Sequence, residues 1–352
     1  LAGNDIASAI TVATSGAVEI DNTHPSISSV TFDSGDYVNN AEDESAIDLV
    51  IVTSGAEDGE TVTATLNGAD YTCDLSSNTC TASITSAALK ALTDGNSYTF
   101  SVAVSDTAGN AATANTAESF TYDVTAPTST TAVESVDGTG NANDADVVTI
   151  TLDPSETVGT PTCTFTDGIG AMEDTTVDYD TTGDDSHTAQ VTVHNDDDDG
   201  AVGFSCTYAD LAGNDIASAI TVATSGAVII DNTHPTMTPV TIATTGDGDA
   251  NDGDDITLSF TASEGIQTPT CTFTSGGQAM ADSSITVTEG DANAWTCVLD
   301  VDNGDTDGSV AFSIAFSDDA GNAGSTAVAV TDGTSVTIDN THPSVSTVTF
   351  AS

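Results

Sequence analysis

The strongest constraint on this chain is an internal repeat. The segment LAGNDIASAITVATSGAV at residues 1–18 returns unchanged at residues 211–228. A second signature, Asp-Asn-Thr-His-Pro, begins at residues 21, 231 and 339, and the degenerate copy Asp-Val-Thr-Ala-Pro begins at residue 123. The spacing between successive copies is 102 residues once and 108 residues twice. A repeat of this length is a whole domain rather than one unit of a solenoid.

The spacing predicts three complete domains with a partial repeat on either side. The predicted boundaries are residues 1–20 for the C-terminal strand or strands of a preceding repeat, 21–122, 123–230 and 231–338 for the complete domains, and 339–352 for the first strand of a following repeat. Because the chain opens and stops inside repeats, we expect it to be part of a longer array.

Short alternating runs predict β-strands. In the third repeat the predicted strands are Asp255–Ala262, Thr268–Thr274, Ser284–Glu289, Trp295–Val301, Ser309–Ser317, Ser325–Val330 and Ser335–Asp339. Thr, Val, Ile and Phe alternate within these runs, and Gly, Asp and Asn separate them, which is typical of a sandwich. Ser86–Leu92 is the one helical candidate. The pattern predicts an all-β fold of tandem immunoglobulin-like sandwiches in a linear array.

The charge restricts the partners. Fifty-five acidic residues face one basic residue, Lys90, and the formal net charge is −54. Such a surface repels nucleic acids and anionic membranes and attracts cations. A salty environment alone also accounts for it, because acidic surfaces keep proteins soluble. No apolar run has the ~20 residues of a transmembrane helix.

The six cysteines fall two to a repeat. We expect the pairs Cys73–Cys80, Cys163–Cys206 and Cys271–Cys297. An even number within each domain, with no Cys-x-x-Cys motif, favours disulfides in an oxidising, extracytoplasmic compartment over zinc.

Each repeat contains the motif Asp-x-Ala-Gly-Asn, at residues 106–110, 210–214 and 318–322. With the linker signature, the acidic loops and the final Asp, these motifs resemble the bacterial Ig-like repeats of giant secreted, adhesin-type surface proteins. The resemblance extends over the whole chain and is closest in the first repeat, at Gly68–Tyr71 and Ala88–Gly95. It implies an Ig-like fold and an extracellular or cell-surface location.

Calcium stiffens the junctions in many such arrays, and the residues here permit it, since calcium binds six to eight oxygen ligands, largely carboxylates and carbonyls. Each junction offers a linker Asp, the first Asp of Asp-x-Ala-Gly-Asn and a loop before the second strand. The candidate ligands are Asp21, Asp36, Asp106, Asp123, Asp144, Asp146, Asp210, Asp231, Asp247, Asp249, Asp252, Asp254, Asp318 and Asp339. The alternatives are solvated acidic turns and capping of nearby backbone amides.

We therefore expect a structural extracellular protein, a filament, stalk or sheath whose partners are neighbouring repeats or copies of itself and divalent cations. A covalent chain of repeats is favoured over assembly by strand donation. An adhesin that binds another surface and a component of a surface-layer lattice are the alternatives. No HExxH, GxSxG or phosphate-loop motif is present, and we expect no enzymatic activity.

Overall fold

The computed structural model describes residues 20–350, apart from 114–117, 136–137, 139, 183–185, 247 and 283. Strands form where polar and branched apolar residues alternate. In Ile47–Ser54, for example, Ile47, Leu49 and Ile51 are buried, and the residues between them face outward. This period of two places one side of each strand in a core.

The first repeat is a sandwich of two sheets. Its strands are β1 (Ser26–Phe32), β2 (Tyr37–Val38), β3 (Ile47–Ser54), β4 (Thr61–Leu66), β5 (Ala69–Asp74), β6 (Thr79–Ile84), β7 (Asn96–Thr99), β8 (Ser101–Ala103) and β9 (Ser119–Tyr122). One sheet has the order β1–β3–β6. The second sheet consists of two sections, β2–β9–β7 and β5–β4–β8. The sections follow each other along the chain at Phe100, the residue between β7 and β8. The rings of Phe32, Phe100 and Phe120 meet in the core, with centroids 4.8, 5.1 and 5.8 Å apart.

The helical prediction for Ser86–Leu92 is confirmed only for its first turn, which forms α1 (Ser86–Leu89). The Thr85 hydroxyl caps this turn by accepting the N–H of Ala88 at 3.3 Å. A short 3-10 helix covers Glu42–Glu44.

The second repeat contains β10 (Ser129–Ser135), β11 (Asn141–Ala142), β12 (Val147–Pro154), β13 (Thr162–Thr166), β14 (Asp178–Thr182), β15 (Ser186–Thr192), β16 (Gly200–Ala201), β17 (Gly203–Thr207) and β18 (Ile229–Ile230). One sheet has the order β10–β12–β15–β14. Its other sheets are the pair β13–β17 and the group β11–β18–β16.

The third repeat contains β19 (Met237–Thr244), β20 (Asp255–Ala262), β21 (Thr270–Ser275), β22 (Gln278–Ala279), β23 (Thr286–Glu289), β24 (Ala294–Asp300), β25 (Gly308–Ala315) and β26 (Thr337–Ile338). Its sheets have the orders β19–β20–β24–β23 and β22–β21–β25–β26. The prediction of a strand at Ser325–Val330 was wrong. Only Ala327 in that segment pairs, in an isolated bridge to Ile314, so the segment lacks the continuous backbone pairing of a strand.

Each repeat is an immunoglobulin-like β-sandwich, and the chain is an all-β tandem array. By its contacts the chain divides into two units. The first unit is Leu1–Pro127 with Ala209–Ile216, and the second is Thr128–Tyr208 with Ala217–Ser352. The second unit thus holds most of the second repeat and all of the third, so their junction lies inside one unit.

All six cysteines are in disulfides. Cys163 and Cys206 face each other directly across β13 and β17, with their Cα atoms 4.1 Å apart. The Cys73–Cys80 and Cys271–Cys297 bonds instead join strands of two different sheets. The three bonds therefore constrain the same fold in two different ways.

Residues 339–350 form no strand, and Val345, Val348 and Phe350 are exposed. Within the described parts of the chain, no helix is long and apolar enough to cross a membrane.

Candidate cation site at the Asp231 linker

Each linker begins with an aspartate that caps its own turn. In the linker before the third repeat, Asp231 Oδ1 accepts the N–H of Thr233 at 3.1 Å. The same bond occurs at Asp21, Asp123 and Asp339, with lengths of 2.8, 3.3 and 2.9 Å. This local bond occupies one oxygen of each carboxylate and leaves the other available.

The Asp-x-Ala-Gly-Asn motif forms a tight turn that meets the linker. Asp318 is 2% exposed, and its two oxygens accept the N–H and the side-chain amide of Asn322 at 2.8 and 2.9 Å. The same Asn322 amide donates to the carbonyl oxygen of Asp231 at 2.6 Å. The motif therefore brings the carboxylate of Asp318 to the linker.

The third acidic residue is Glu264, which lies two residues beyond the end of β20. Asp231, Glu264 and Asp318 each place one carboxylate oxygen within 4.8 Å of the others. Glu264 was absent from the candidate ligands of the sequence analysis. The signal that could have found it is the 108-residue spacing, which places Glu156, Asp123 and Asp210 at the equivalent positions of the second repeat.

The electrostatics of this trio are unfavourable without a cation. Burial raises the pKa of Asp231, and the charges of Asp318 and Asp199 raise it further. The hydrogen bond from the N–H of Thr233 lowers it in part. Burial also raises the pKa of Glu264, as do the charges of Asp231, Asp318 and Asp199. Crowded, partly buried carboxylates resist ionisation unless a positive charge compensates them. The chain's one basic residue, Lys90, contacts Glu44 at 2.7 Å in the other unit.

The site is tied to the preceding repeat by an amide pair. Asn143, in the loop before β12, donates from Nδ2 to Oδ1 of Asn322 at 3.2 Å. Asn143 is in turn fixed by its own N–H, which donates to Asp146 Oδ2 at 3.0 Å. A side chain of the second repeat thus reaches the residue that links Asp318 to Asp231.

A second tie comes from Asp199, in the hairpin before β16. Asp199 Oδ1 accepts the N–H of Asn232 at 2.7 Å, and Oδ2 accepts the hydroxyl of Thr233 at 2.6 Å. Asp94 and Asp307 hold the following linkers in the same way. The sequence analysis predicted none of these contacts with the linkers.

The acidic run Asp196–Asp199 contains one buried carboxylate, that of Asp197. Asp197 is 4% exposed, and its oxygens accept the N–H groups of Glu173 and His194 at 2.7 and 2.8 Å. Bonds to backbone amides make burial of this carboxylate tolerable.

The predicted loop ligands act here as acceptors of backbone N–H groups. Asp144 and Asp252 accept from Asn195 and Asn303 at 3.0 and 3.1 Å, and Asp146 and Asp254 each accept the N–H three residues before them at 3.0 Å. Asp36 and Asp249 are exposed. Within the described residues none of these six belongs to a group of three potential ligands. Asp247 lies outside the described residues. Coordination by the loop acids remains a prediction.

The first unit contains two turns of the same kind. Asp106 and Asp210, both buried, accept the N–H and side-chain amide of Asn110 and Asn214. The two asparagines donate to the carbonyl oxygens of Asp21 and Asp123 at 3.1 and 2.9 Å. Burial raises the pKa of Asp123, and the charges of Asp210 and Asp94 raise it further. The hydrogen bond from the N–H of Thr125 lowers it in part.

No protein-family model and no curated protein matches this chain. Among solved structures, it is similar to a 1.5-MDa bacterial ice-binding adhesin, with 21% identity, a TM-score of 0.45, and 89% of this chain and 96% of that one covered. It is also similar to a Ca²⁺-stabilized adhesin of an Antarctic bacterium that binds ice, with 22% identity, a TM-score of 0.43, and 86% and 73% covered. An I-band fragment of titin aligns at 12% identity and a TM-score of 0.35, with 88% and 98% covered.

Proposed function

We propose that this chain is a structural extracellular repeat protein whose joints are stiffened by calcium. The observation that carries the proposal is the convergence of Asp231, Glu264 and Asp318 at the linker of the third repeat. The linker supplies one carboxylate and the third sandwich supplies two. A cation bound by all three would hold the linker against the sandwich that follows it.

The donor set favours calcium over the transition metals. It is made of carboxylate oxygens, and hard oxygen ligands suit calcium and magnesium better than zinc or copper. Calcium–oxygen distances of about 2.3–2.6 Å place ligands on opposite sides of the ion about 5 Å apart. Separations of up to 4.8 Å fit that range, whereas magnesium at about 2.1 Å requires a tighter shell. Carbonyl oxygens and water would complete the coordination.

A cation also removes the electrostatic cost of the fold at this site. The pKa values of Asp231 and Glu264 are raised because their charged forms are crowded and partly buried. A divalent ion reverses this cost and binds only the folded arrangement, so it stabilises the native state by mass action.

The disulfides and the burial of the aromatic residues agree with an extracellular scaffold. Disulfides persist in oxidising compartments, which for a chain like this means outside the cytoplasm. Trp295 is 5% exposed, so the one tryptophan is a core residue and does not present a ring to a sugar. This favours a spacer such as a stalk, filament or sheath over carbohydrate recognition by these repeats. Its partners would be neighbouring repeats or copies of the same chain.

The test is a comparison of thermal stability in calcium and in chelator for the wild type and for Glu264→Gln. Calcium should raise the Tm of the wild type. The variant should melt at a higher temperature than the wild type in chelator, because one repelling charge is gone, and should gain less from calcium. Small-angle scattering should show a stiffer wild-type chain in calcium.

Glu289→Gln is the matched control, since Glu289 is an exposed glutamate on β23 outside the trio. It should behave as the wild type in both conditions. An equal gain from calcium in Glu264→Gln and in the wild type would refute the proposed site.

A further inference from the structure

Asp199 stands apart from the trio because it belongs to the other repeat. Asp231, Glu264 and Asp318 all lie in the third repeat and its linker, whereas Asp199 lies in the second repeat, between β15 and β16. Its carboxylate reaches across to the linker residues that directly follow Asp231.

The two aspartates hold the same threonine from two directions. Asp231 Oδ1 accepts the N–H of Thr233 at 3.1 Å, and Asp199 Oδ2 accepts its hydroxyl at 2.6 Å. We call the linker closed when Asp199 holds it in this way. The carboxylates of Asp199 and Asp231 stay close together only in the closed linker. If the linker opened, the charge of Asp199 would move away from the trio.

A second observation concerns Asn232, which lies between Asp231 and Thr233 in the linker. Its Oδ1 is buried without a hydrogen-bond partner. At the next linker the equivalent Asn340 Oδ1 accepts the N–H of Asp252 at 3.0 Å. A buried acceptor without a partner costs free energy. The Asp231 linker therefore carries a cost that the hydrogen bond from Asp252 relieves at the Asp339 linker.

We propose that Asp199 is a positioning residue that makes cation binding at Asp231, Glu264 and Asp318 and closure of the linker against the second repeat depend on each other. Closure adds a fourth negative charge near the site, which opposes closure in the metal-free chain and favours it once a cation is bound. The coupling is reciprocal, so whatever closes the linker also tightens cation binding. This inference rests on the proposed function and adds a mechanism by which a local ion fixes one repeat on the next. Besides burial, the charges of Asp318 and Asp199 raise the pKa of Asp231, which agrees with the proximity of Asp199 to the site.

The experiment is a calcium titration of the full chain by calorimetry, for the wild type and for Asp199→Asn and Asp307→Asn. Asp307 is the matched control because it holds Asn340 and Thr341 by the same two bonds, at 2.7 and 2.5 Å, but at the other linker. Asp199→Asn should weaken calcium binding at the site lost in Glu264→Gln by about fivefold or more, the lower range of typical coupling. Asp307→Asn should leave that site unchanged.

A second readout separates coupling from a merely structural role. Asp199→Asn should lower the Tm clearly in calcium and much less in chelator, because removing a repelling charge offsets the lost hydrogen bonds only when no cation is present. Hydrogen exchange at the Asn232 amide should slow on calcium addition in the wild type and respond weakly in the variant.

Equal losses of calcium affinity in both variants, or equal Tm losses of Asp199→Asn in calcium and in chelator, would overturn the coupling. If the wild type has no Glu264-dependent site at all, the proposed function fails instead. The two failures are therefore distinguishable.

Discussion

The first and third repeats share a scaffold but differ at one position beside the linker. In the third repeat Ser263 pairs with Thr236, and Glu264 follows it. In the first repeat Ser54 pairs with Ser26, and Gly55 follows it. Thr236 and Ser26 both directly follow the linker proline, so Gly55 occupies the position of Glu264. The first repeat retains the linker Asp21 and the buried Asp106 but lacks the third carboxylate.

This difference teaches that the hydrogen-bonded turn and the cluster of three carboxylates are separable. Asp106 keeps both bonds to Asn110 without a glutamate at the equivalent position. Glu57, the nearest glutamate in the sequence, accepts the N–H of Thr107 instead. The turn is thus a feature of the fold, and the third carboxylate is an addition made in some repeats. We expect the Asp231 linker to depend on calcium more than the Asp21 linker does.

The largest expected difference between repeats comes from their disulfides. Cys163–Cys206 closes a sequence separation of 43 residues and Cys73–Cys80 one of 7. Because a longer loop loses more entropy in the unfolded chain, replacing Cys163 and Cys206 by Ser should cost about 1.5 kcal/mol more than replacing Cys73 and Cys80. Denaturant unfolding of the two double variants measures this, and equal losses would show that loop entropy does not govern these bonds.

Gly55→Glu tests the comparison at the linker itself. Gly55 has φ +85°, a conformation that L side chains rarely adopt, so the substitution should destabilise the first repeat by about 1 kcal/mol in chelator. Calcium should then recover part of the loss, since the third carboxylate has been supplied. Gly55→Gln has the same strain without the charge and should show no recovery. Identical calcium responses of the two variants would contradict the equivalence with Glu264.

The smallest expected effect concerns pH in the first repeat. The Thr125 hydroxyl, and then the Val124 N–H, hold the pKa of Asp94 below its ordinary value. A lowered folded pKa contributes stability above the unfolded pKa, and this is lost as the pH falls through the folded value. Asp94→Asn should therefore reduce the Tm at neutral pH. As the pH falls, the Tm of the variant should decrease less than that of the wild type. Asp48→Asn, at an exposed strand position, is the control. If the Tm of Asp94→Asn falls with pH as steeply as that of the wild type, the hydrogen bonds of Asp94 do not contribute to stability.

The sequence predicts the fold well because the apolar alternation is strong. The prediction for β20 matches its observed bounds, and β21, β24 and β25 begin or end within two residues of expectation. Ser325–Val330 failed because alternation alone does not show whether a neighbouring strand is present. The tandem sandwich follows from period and length, whereas pairing depends on neighbours distant in sequence.

The site was predictable only in part. Asp231 and Asp318 were among the predicted ligands because each begins a motif that recurs from repeat to repeat. The acidic loop contains more carboxylates, yet Asp144, Asp146, Asp252 and Asp254 each accept a backbone N–H. Glu264 was missed because a single glutamate after a strand has no local signature. The fold alone brings it beside the turn of Asp318, which is more than fifty residues away in the sequence.

The unequal disulfide loops have a consequence for a chain under tension. When a sandwich is pulled apart, residues enclosed by a disulfide cannot extend. At about 3.5 Å per residue, the Cys163–Cys206 bond, with its sequence separation of 43, withholds roughly 150 Å of contour length, while the Cys73–Cys80 bond, with a separation of 7, withholds roughly 25 Å. On forced unfolding, the first repeat would therefore release more of its contour length than the second.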